Sequence, residues 1–380
     1  MPDQQPVCSG LVERIGLDEG NITHKIFKSG NEEVIKKTLP IKDHEVGLME
    51  VAKLLTDAEK GVIKDPADIE AVGHRVVHGG EAFAATTIIT DAVKEKIKEL
   101  FPLAPLHNPP NYLGIQVAEK IFSKAKQVGV FDTAFHQTMP EKAFRYAIPK
   151  ELYTEKAIRA YGFHGTSHKY VSEEAAKYLG KKDAKLITIH LGNGCSMTAV
   201  DAGRSVDTTM GFGPVSGLVM GTRSGDIDAS VIFHLIEQIG YNPKDVNNLL
   251  NKQSGMIGLT GFSDMRDVSS AIAEGNKDAT LAIELYTYRI KKYIGAYAAA
   301  LNGLDAIVFT AGVGENSALI REKVCTNLNF LGIQFDAEKN NTRSNGIREI
   351  NTENSPVKVL VIPTNEELEI VNQCYELLNG

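Results

Sequence analysis

The sequence predicts an α/β protein with two domains. Runs of β-prone residues alternate with amphipathic segments along the chain, as in folds where helices cover a sheet. Glycine-rich turns that would allow close approach of a phosphate occur in both halves, which suggests a duplicated α/β unit. At 380 residues, the chain is also long enough to bury two cores.

Composition excludes several classes of protein. The chain is 43% hydrophobic and 23% charged, as expected for an ordinary globular protein. Its net charge of −7, without a basic stripe, argues against nucleic-acid binding. Four scattered cysteines without C-x-x-C spacing predict neither a zinc site nor a disulfide framework. No apolar run reaches membrane-spanning length and no signal-peptide pattern opens the chain, so we expect a cytoplasmic protein without membrane partners.

The first half of the chain offers three candidate polar residues. Residues 71–80 read as a short buried strand that contains Arg75, which either forms a structural salt bridge or holds an anion at the edge of the sheet. Prolines should hold the stretch 102–111 extended and thereby fix His107. Asp132 directly follows an apolar strand, at the end where α/β sheets bind ligands.

The stretch around residues 186–200 carries the clearest signal. Two β-prone runs, 186–190 and 195–200, flank a Gly-Asn-Gly turn, which predicts a hairpin whose backbone N–H groups can face an anion. The Gly-Asn-Gly turn alone could equally be an ordinary tight turn. The following loop, 210–226, favours a phosphate site because it is glycine-rich, nearly uncharged and contains a single arginine, Arg223.

Two histidines precede a predicted helix in the segment 161–168. His164 directly precedes Gly165 and is the better candidate to face a ligand. His168 falls inside the helix and is expected to be structural. Thr166 or Ser167 is expected to cap the helix.

The second half ends with a generic nucleotide-binding arrangement: a strand at 305–310, a Gly-x-Gly turn at 311–317 and a helix at 318–327. Neither the full dinucleotide spacing nor the Walker pattern is present, which argues against an NAD-dependent oxidoreductase and a P-loop enzyme. After a strand at 357–362, a capping box would occupy Glu367 and leave Glu366 to face a cation.

Taken together, these stretches resemble the acetokinase family, within the actin-like and sugar-kinase superfamily. The matching motifs cover essentially the whole chain; they are residues 74–81 (HRVVHGGE), 104–111 (APLHNPPN), 130–137 (VFDTAFHQ), 161–168 (YGFHGTSH), 190–196 (HLGNGCS), 220–223 (MGTR), 309–317 (FTAGVGENS) and 362–367 (IPTNEE). The resemblance implies two actin-like (ribonuclease H-like) domains with a nucleotide cleft between them. Residues 1–131 plus 367–380 would form the first domain and 132–366 the second.

The resemblance also implies an activity: reversible phosphorylation of acetate by ATP to acetyl phosphate and ADP, by direct in-line transfer. Arg75 and Arg223 would bind acetate or the transferring phosphoryl group. His164 would stabilise the transition state, and His107 and His190 would support it. A small pocket for the acetate methyl would be formed by Val77, Leu106, Phe163 and Pro214.

Further residues are implied in nucleotide and metal binding. Asp132 and Glu366 would act near Mg²⁺, for which Mn²⁺ could substitute, with Glu366 as the metal ligand. The nucleotide-binding residues would be His190, Gly192, Asn193, Gly194, Asp264, Met265, Arg266, Gly312, Val313, Gly314, Glu315 and Asn316. This chain has Asp264-Met265-Arg266 where the family usually has Asp-Phe-Arg. The aspartate and the arginine are the same in both. The resemblance also implies a homodimer.

The chain departs from the family at its start. Family members open with a strand and an Asn-x-Gly-Ser-Ser-Ser turn, the first phosphate hairpin, and nothing similar precedes the predicted strand at 11–15. We therefore expect the chain to lack a central strand and one phosphate-binding turn, and to be poorly stable and nearly inactive. Two alternatives remain. A propionate or butyrate kinase would share nearly every motif and differ in pocket size, and the missing first hairpin makes a non-catalytic nucleotide-binding relative credible.

Overall fold

The computed structural model describes residues 4–28 and 31–380. Contacts divide the chain into two compact units, Met1–Phe131 with Glu367–Gly380 and Asp132–Glu366. Within the described ranges, no helix is both long and apolar enough to cross a membrane.

The described residues of the first unit form two three-stranded sheets. One is an antiparallel meander of β1 (Cys8–Glu13), β2 (Gly20–Lys28) and β3 (Asn31–Leu39). The other consists of β4 (Ala71–Val76), β5 (Thr87–Ile88) and β6 (Lys126–Phe131), with β6 in the middle and parallel to β4. The predicted strand at 11–15 therefore begins three residues early, at Cys8, because residues 8–10 also pair with β2.

The helices of the first unit are α1 (His44–Leu55), α2 (Asp91–Glu99), α3 (Asn108–Ile121) and the helix at the C-terminus of the chain. The prediction that prolines keep 102–111 extended is wrong, because Phe101–Leu103 form a 3-10 helix, turns follow up to His107, and α3 begins at Asn108. Pro109 and Pro110 lie in the first turn of α3. There the missing proline N–H would have had no partner within the helix, so proline costs nothing.

The second unit is built on a six-stranded sheet with the order β11-β12-β10-β7-β8-β9. Its strands are β7 (Lys185–Leu191), β8 (Cys195–Asp201), β9 (Arg204–Thr208), β10 (Ala306–Thr310), β11 (Arg348–Glu349) and β12 (Lys358–Val361). The central strands β12, β10 and β7 are parallel, and β7 and β8 form the antiparallel hairpin predicted at 186–200.

Eleven helices surround this sheet in the described residues: α4 (Glu141–Phe144), α5 (Lys150–Thr154), α6 (Gly165–Leu179), α7 (Ala229–Glu237), α8 (Pro243–Lys252), α9 (Gly255–Thr260), α10 (Met265–Ala273), α11 (Lys277–Leu301), α12 (Ala311–Asn316), α13 (Ala318–Cys325) and α14 (Ala337–Asn341). The last helix of the chain, α15, is Glu366–Asn379. Val171 of α6 packs with Leu186 and Val308 in one core cluster, while α11 contacts β7 and β8. Helices that cover the sheet explain why its central strands β7, β10 and β12 are buried along nearly their whole length.

The predicted α/β class is therefore confirmed. The predicted turn at 311–317 is wrong, because residues 311–316 form helix α12 directly after β10. Ala311 adopts φ 64°, in the left-handed region, and this one residue makes the change from strand to helix.

Candidate active site

The Gly192–Gly194 turn of the β7–β8 hairpin brings two predicted site residues together. A Cβ atom on Gly194 would lie 3.4 Å from Cε1 of His164 and 3.5 Å from Nη1 of Arg223. Glycine leaves this space open and exposes the backbone. An imidazole, a guanidinium and bare backbone thus meet at one point in the second unit.

His164 is held by its backbone at the start of α6. It adopts φ 56° and ψ 25°, a left-handed conformation that costs a non-glycine residue roughly 1 kcal/mol. Gly165 N donates to Asp132 O at 2.9 Å, and a Cβ on Gly165 would lie 2.2 Å from that oxygen. His164 occupies the N-cap position without a side-chain cap bond, so the predicted caps Thr166 and Ser167 are wrong: both are already helical.

The His164 side chain belongs to a chain of hydrogen bonds that ends in the core. His164 Nδ1 lies 2.9 Å from Ser196 Oγ, which lies 2.7 Å from His168 Nε2. His168 Nδ1 lies 2.7 Å from Thr188 Oγ1, and Thr188 donates to Thr198 O at 3.4 Å. We call these four side chains, His164, Ser196, His168 and Thr188, the serine relay.

The direction of these bonds assigns the protons. Thr188 donates its only hydroxyl hydrogen to Thr198 O, so it accepts one from His168 Nδ1. His168 Nε2 then accepts from the Ser196 hydroxyl, and Ser196 accepts from His164 Nδ1. Burial holds the pKa of His168 well below its usual range, which keeps that ring neutral, as the relay requires. His164 therefore carries a proton on Nδ1, and a second proton must go to Nε2.

His190 is stacked on His164, with the ring centroids 4.2 Å apart and the planes at 18°. Its Nδ1 lies 2.8 Å from Ser167 Oγ, which lies 2.9 Å from Thr364 Oγ1. Thr364 N donates to the Glu315 carboxylate at 3.1 Å. The predicted supporting role of His190 thus has a geometric basis, and the Glu315 side chain holds the loop that leads into α15.

Arg223 is half-buried on a loop that is fixed by hydrogen bonds. Met220 N donates to Arg223 O at 3.1 Å, and Gly255, at φ +65°, packs against the same oxygen, which a Cβ would approach to 2.5 Å. Nη1 of Arg223 donates to Pro214 O at 3.0 Å, and burial lowers the pKa of the Arg223 guanidinium. No carboxylate in the described part of the chain forms an ion pair with Arg223. A partly desolvated cation without a carboxylate favours an anionic ligand.

A cavity of about 850 Å³ in the second unit brings together eight of the predicted nucleotide-binding residues: Gly192, Asn193, Asp264, Met265, Arg266, Gly312, Val313 and Asn316. The other four, His190, Gly194, Gly314 and Glu315, do not line it. Three serines do line it and were not predicted from the sequence: Ser263, Ser269 and Ser317. Ser263 and Ser317 are sequence neighbours of predicted residues and Ser269 lies about one helical turn after Arg266, which is the signal that could have identified them.

We call this space the nucleotide cavity, after the ligand predicted for it, and local contacts shape its rim. Asp264 caps α10 and accepts from Arg266, with Nη2–Oδ2 at 2.6 Å and Nε–Oδ1 at 3.0 Å. These bonds lower the pKa of Asp264 to about 2, while the Arg266 side chain remains 90% exposed. Gly221 N donates to Asn193 O at 3.0 Å, and a Cβ on Gly221 would lie 2.2 Å from Asn193 Oδ1.

Two asparagines join the predicted substrate loops of the first unit. Asn111 Oδ1 accepts from Val77 N at 3.1 Å. Asn108 bonds both backbone groups of His78, accepting from N at 3.1 Å and donating to O at 2.9 Å. The motifs at 74–81 and 104–111 therefore form one structural feature.

The remaining predicted substrate residues lie in both units. In the first, Arg75 is on β4, His107 directly precedes α3, and Leu106 is 62% exposed. In the second, Phe163 is buried, and its carbonyl accepts from His136 Nε2 at 3.0 Å. The acyl pocket and the alternative roles of Arg75 stay predictions.

The residues predicted to act near a metal are two carboxylates. Asp132 is buried and directly follows β6, and Glu366 is half-buried and begins α15. No group of three or more His, Cys, Asp or Glu side chains that could hold a metal occurs among the described residues. Mg²⁺ usually takes one or two carboxylates together with water and substrate phosphates, so this donor set fits a metal bound largely through a nucleotide.

Known proteins resemble this chain over nearly its whole length. The Acetokinase family model matches residues 1–372. The chain is 62% identical over 380 residues to the acetate kinase of Flavobacterium johnsoniae, covering 100% of this chain and 95% of that protein. It is 52% identical over 384 residues to the acetate kinase of Thermotoga maritima, covering 100% and 94%.

Solved structures are similar over nearly the same length. The crystal structure of Porphyromonas gingivalis acetate kinase gives a TM-score of 0.91 at 44% identity, covering 98% of this chain and 94% of that one. A propionate kinase from Francisella tularensis gives 0.88 at 45% identity, covering 97% and 92%. The resemblance inferred from the motifs is confirmed, and the chain belongs to the acetokinase family.

Proposed function

We propose that the chain transfers the γ-phosphoryl group of ATP to acetate, reversibly forming acetyl phosphate and ADP. The convergence of Gly194, His164 and Arg223 carries this proposal, because Gly192 and Asn193 of the same turn line the nucleotide cavity. Membership of a family whose relatives are named acetate kinases supports it.

The chemistry requires positioning and charge more than proton transfer. Acetate is already ionised at neutral pH, so one of its oxygens can attack the γ-phosphorus while the bond to the ADP oxygen breaks. Two anions must approach each other, and charge spreads over the phosphoryl oxygens. Arg223, the backbone of Gly194 and a proton on Nε2 of His164 would stabilise that charge, and we propose the same role for Arg75. The serine relay keeps His164 in the tautomer that can hold this proton.

A covalent enzyme intermediate is not needed. Cys195 lies next to the Gly192–Gly194 turn, but burial raises the pKa of its thiol to about 11. At neutral pH it is therefore a protonated, poorly nucleophilic group. We propose a single in-line displacement, which inverts configuration at phosphorus.

Mg²⁺, or Mn²⁺ in its place, would be held by Asp132 and Glu366 together with nucleotide phosphates, and would neutralise phosphate charge when bound. The carboxylate chemistry of these residues supports this assignment. On the family resemblance alone, we also propose a cytoplasmic homodimer that serves acetyl-CoA biosynthesis.

A propionate kinase is the second candidate, because a solved propionate kinase is nearly as similar to this chain as the solved Porphyromonas gingivalis acetate kinase. The two activities would use the same phosphoryl chemistry and differ in the acyl pocket, for which Val77 and Pro214 are the predicted lining residues.

One assay series tests these proposals. Purified chain is mixed with MgATP and acetate, propionate or butyrate, and acyl phosphate is trapped as the hydroxamate while ADP is measured. The proposal expects equal amounts of acetyl phosphate and ADP and the highest kcat/KM for acetate. A higher kcat/KM for propionate would support the second candidate. ATP binding without any acyl phosphate would instead show a non-catalytic relative. Retained configuration with chiral γ-phosphate would contradict direct transfer.

A further inference from the structure

A second polar cavity in the second unit is lined by three arginines. It has a volume of about 590 Å³ and lies among α12, α13, α14 and β11. The side chains that define it are Arg321, Arg343, Arg348, Asn340, Asn341 and Ser344, and we call it the arginine pocket. Asn316 borders both this pocket and the nucleotide cavity, which Gly312 and Val313 line from the other end of α12.

Arg321 forms the buried floor of the pocket. Its side chain is 2% exposed, and its Nη1 donates to Gly314 O and Glu315 O, both at 2.9 Å. Nε and Nη2 donate to the side chain and the backbone of Asn340, at 2.8 and 3.0 Å. These bonds cap the last carbonyls of α12, so Arg321 has a clear structural role.

Arg348 and Arg343 have donor hydrogens to spare. Arg348 donates to Glu315 O at 2.9 Å and to Ser344 O at 3.1 Å, which uses two of the five guanidinium hydrogens. Its Nε is buried and has no hydrogen-bond partner in the described part of the chain. Arg343 is exposed, and no hydrogen bond or ion pair of the described residues involves it. A buried donor without a partner is costly, which points to a missing acceptor.

Charge in the pocket is also unbalanced. One acidic residue, Glu315, also lines the pocket, but its carboxylate accepts from Thr364 N, and no carboxylate of the described residues forms an ion pair with any of the three arginines. The end of a helix supplies only about half an elementary negative charge, too little to offset three guanidinium groups. Burial and the charge of Arg348 lower the pKa of Arg321 to about 10, so it remains charged at neutral pH.

We propose that the arginine pocket binds a small molecule with two or more carboxylate or phosphate groups. A guanidinium group forms bidentate hydrogen bonds with carboxylates and with phosphates alike. The pocket therefore selects polyanionic ligands but does not distinguish carboxylates from phosphates. The site is separate from the nucleotide cavity, and its occupation does not depend on the phosphoryl transfer proposed above.

Calorimetric titration tests the proposal with two probes, citrate for carboxylates and pyrophosphate for phosphates. Both are titrated into the full chain in chloride buffer of matched ionic strength, without divalent metal, with and without saturating ADP. We expect saturable binding of at least one probe at one site per chain, and the probe that binds identifies the oxyanion. ADP should leave its Kd nearly unchanged. Absence of saturable binding for both probes, or loss of binding when ADP is present, would overturn the proposal.

Matched variants locate the binding. Arg343→Gln should weaken the Kd at least about tenfold, because a charged hydrogen bond is lost. Arg343 is exposed and forms no hydrogen bond or ion pair with the described residues, so this variant is expected to fold as wild type and is decisive; wild-type affinity would rule the pocket out. Arg348→Gln should weaken the Kd as well. Because this substitution also removes the hydrogen bond to Glu315 O, a thermal melt of the variant checks that the fold is intact. Arg204→Gln, an exposed arginine of the same unit, should bind as wild type; equal weakening would indicate a non-specific charge effect only.

Discussion

His164 is constrained from two directions. Its backbone is fixed by the contact between Gly165 and Asp132, and its ring by Ser196 and by stacking on His190. The backbone contact fixes the position of the residue. The contacts of the ring fix its orientation and determine that Nε2 is the nitrogen that takes the second proton. Because a misplacement of about 1 Å can cost 10²-fold in rate, such double support is expected for a group that stabilises a transition state.

Ser196→Ala is expected to lower kcat about 10- to 100-fold with little change in the KM for ATP. It removes the acceptor of His164 Nδ1, and a hydrogen bond to a charged group contributes roughly 1.5–3 kcal/mol. The pH profile of kcat should shift as well, because the imidazolium loses its partner. Ser205→Ala is the control, since Ser205 makes the same kind of bond, at 2.9 Å, to His136. Wild-type kcat and pH profile in Ser196→Ala would rule out the relay.

Arg223→Ala and Arg75→Ala are expected to lower kcat about 10³-fold or more if these residues act like arginine fingers. Arg266→Ala should instead raise the KM for ATP, because Arg266 lines the nucleotide cavity. Steady-state kinetics separate the two effects, and Arg204→Ala serves as the neutral control. If circular dichroism showed that Arg75→Ala unfolds, the structural salt bridge would be the better explanation for Arg75.

Val77→Ala is expected to raise kcat/KM for propionate relative to acetate. One extra methylene in an apolar pocket corresponds to roughly 1–3 kcal/mol of discrimination, or about 10- to 200-fold. The ratio is measured with both acids in the hydroxamate assay. If the ratio did not change, Val77 would not line the acyl pocket.

Short connections between regular elements, rather than the elements themselves, position most of the candidate site. The Gly192–Gly194 turn, the first residue before α6 and the loop of Arg223 each depend on a glycine next to another backbone or side chain. At such places even a Cβ atom changes the geometry, while the strands and helices behind them stay the same.

Gly221→Ala is expected to raise the KM for ATP about tenfold with little loss of stability. The new Cβ would lie 2.2 Å from Asn193 Oδ1, so the flexible Asn193 side chain must leave its position in the nucleotide cavity and could no longer form the hydrogen bond to the nucleotide that we expect there. Gly213→Ala is the matched control in the same loop region, because nothing lies within 4 Å of its Cβ position. Equal KM values for the two variants would show that Asn193 does not contact the nucleotide.

At the scale of the whole molecule, buried histidines link stability to pH. Burial lowers the pKa values of His78 and His136 to about 4, from the usual 6.5. Between these values, the unfolded chain binds protons that the folded chain does not, so the free energy of unfolding decreases as the pH falls. Asp207 acts in the opposite direction, because burial raises its pKa to about 6 and the folded chain then takes up the proton first.

His136→Gln is expected to make stability less sensitive to acid. For one group with these pKa values, acidification from pH 7 to pH 5 should remove about 2 kcal/mol, which the variant would retain. Urea unfolding followed by circular dichroism at both pH values measures the difference. Asp207→Asn should show the reverse, a steeper loss of stability on acidification. An identical loss in wild type and His136→Gln would mean that His136 is not held neutral by the fold.

The sequence by itself determined the α/β class and the hairpin at 186–200, while the family resemblance indicated eight residues that the structure brings together at one cavity. These features depend on residue types at short spacing, such as Gly-Asn-Gly between two β-prone runs, which act in much the same way in any surroundings. Sequence patterns predicted the local structure less reliably where the same residues are compatible with two backbone conformations. Pro109 and Pro110 suit both an extended loop and the first turn of a helix, and only packing decides between them.

Only the tertiary structure decided which side chains cooperate. The relay joins His168 to Ser196, 28 residues away, and Ser167 meets Thr364 across 197 residues. The arginine pocket likewise assembles Arg321 of α13 with Arg348 of β11 around carbonyls of α12. Such contacts leave no periodic pattern in the chain, because they arise where separate elements pack against one sheet. The sequence alone does not distinguish such a serine or arginine from any other polar residue, because its hydrogen-bond partner lies far away along the chain.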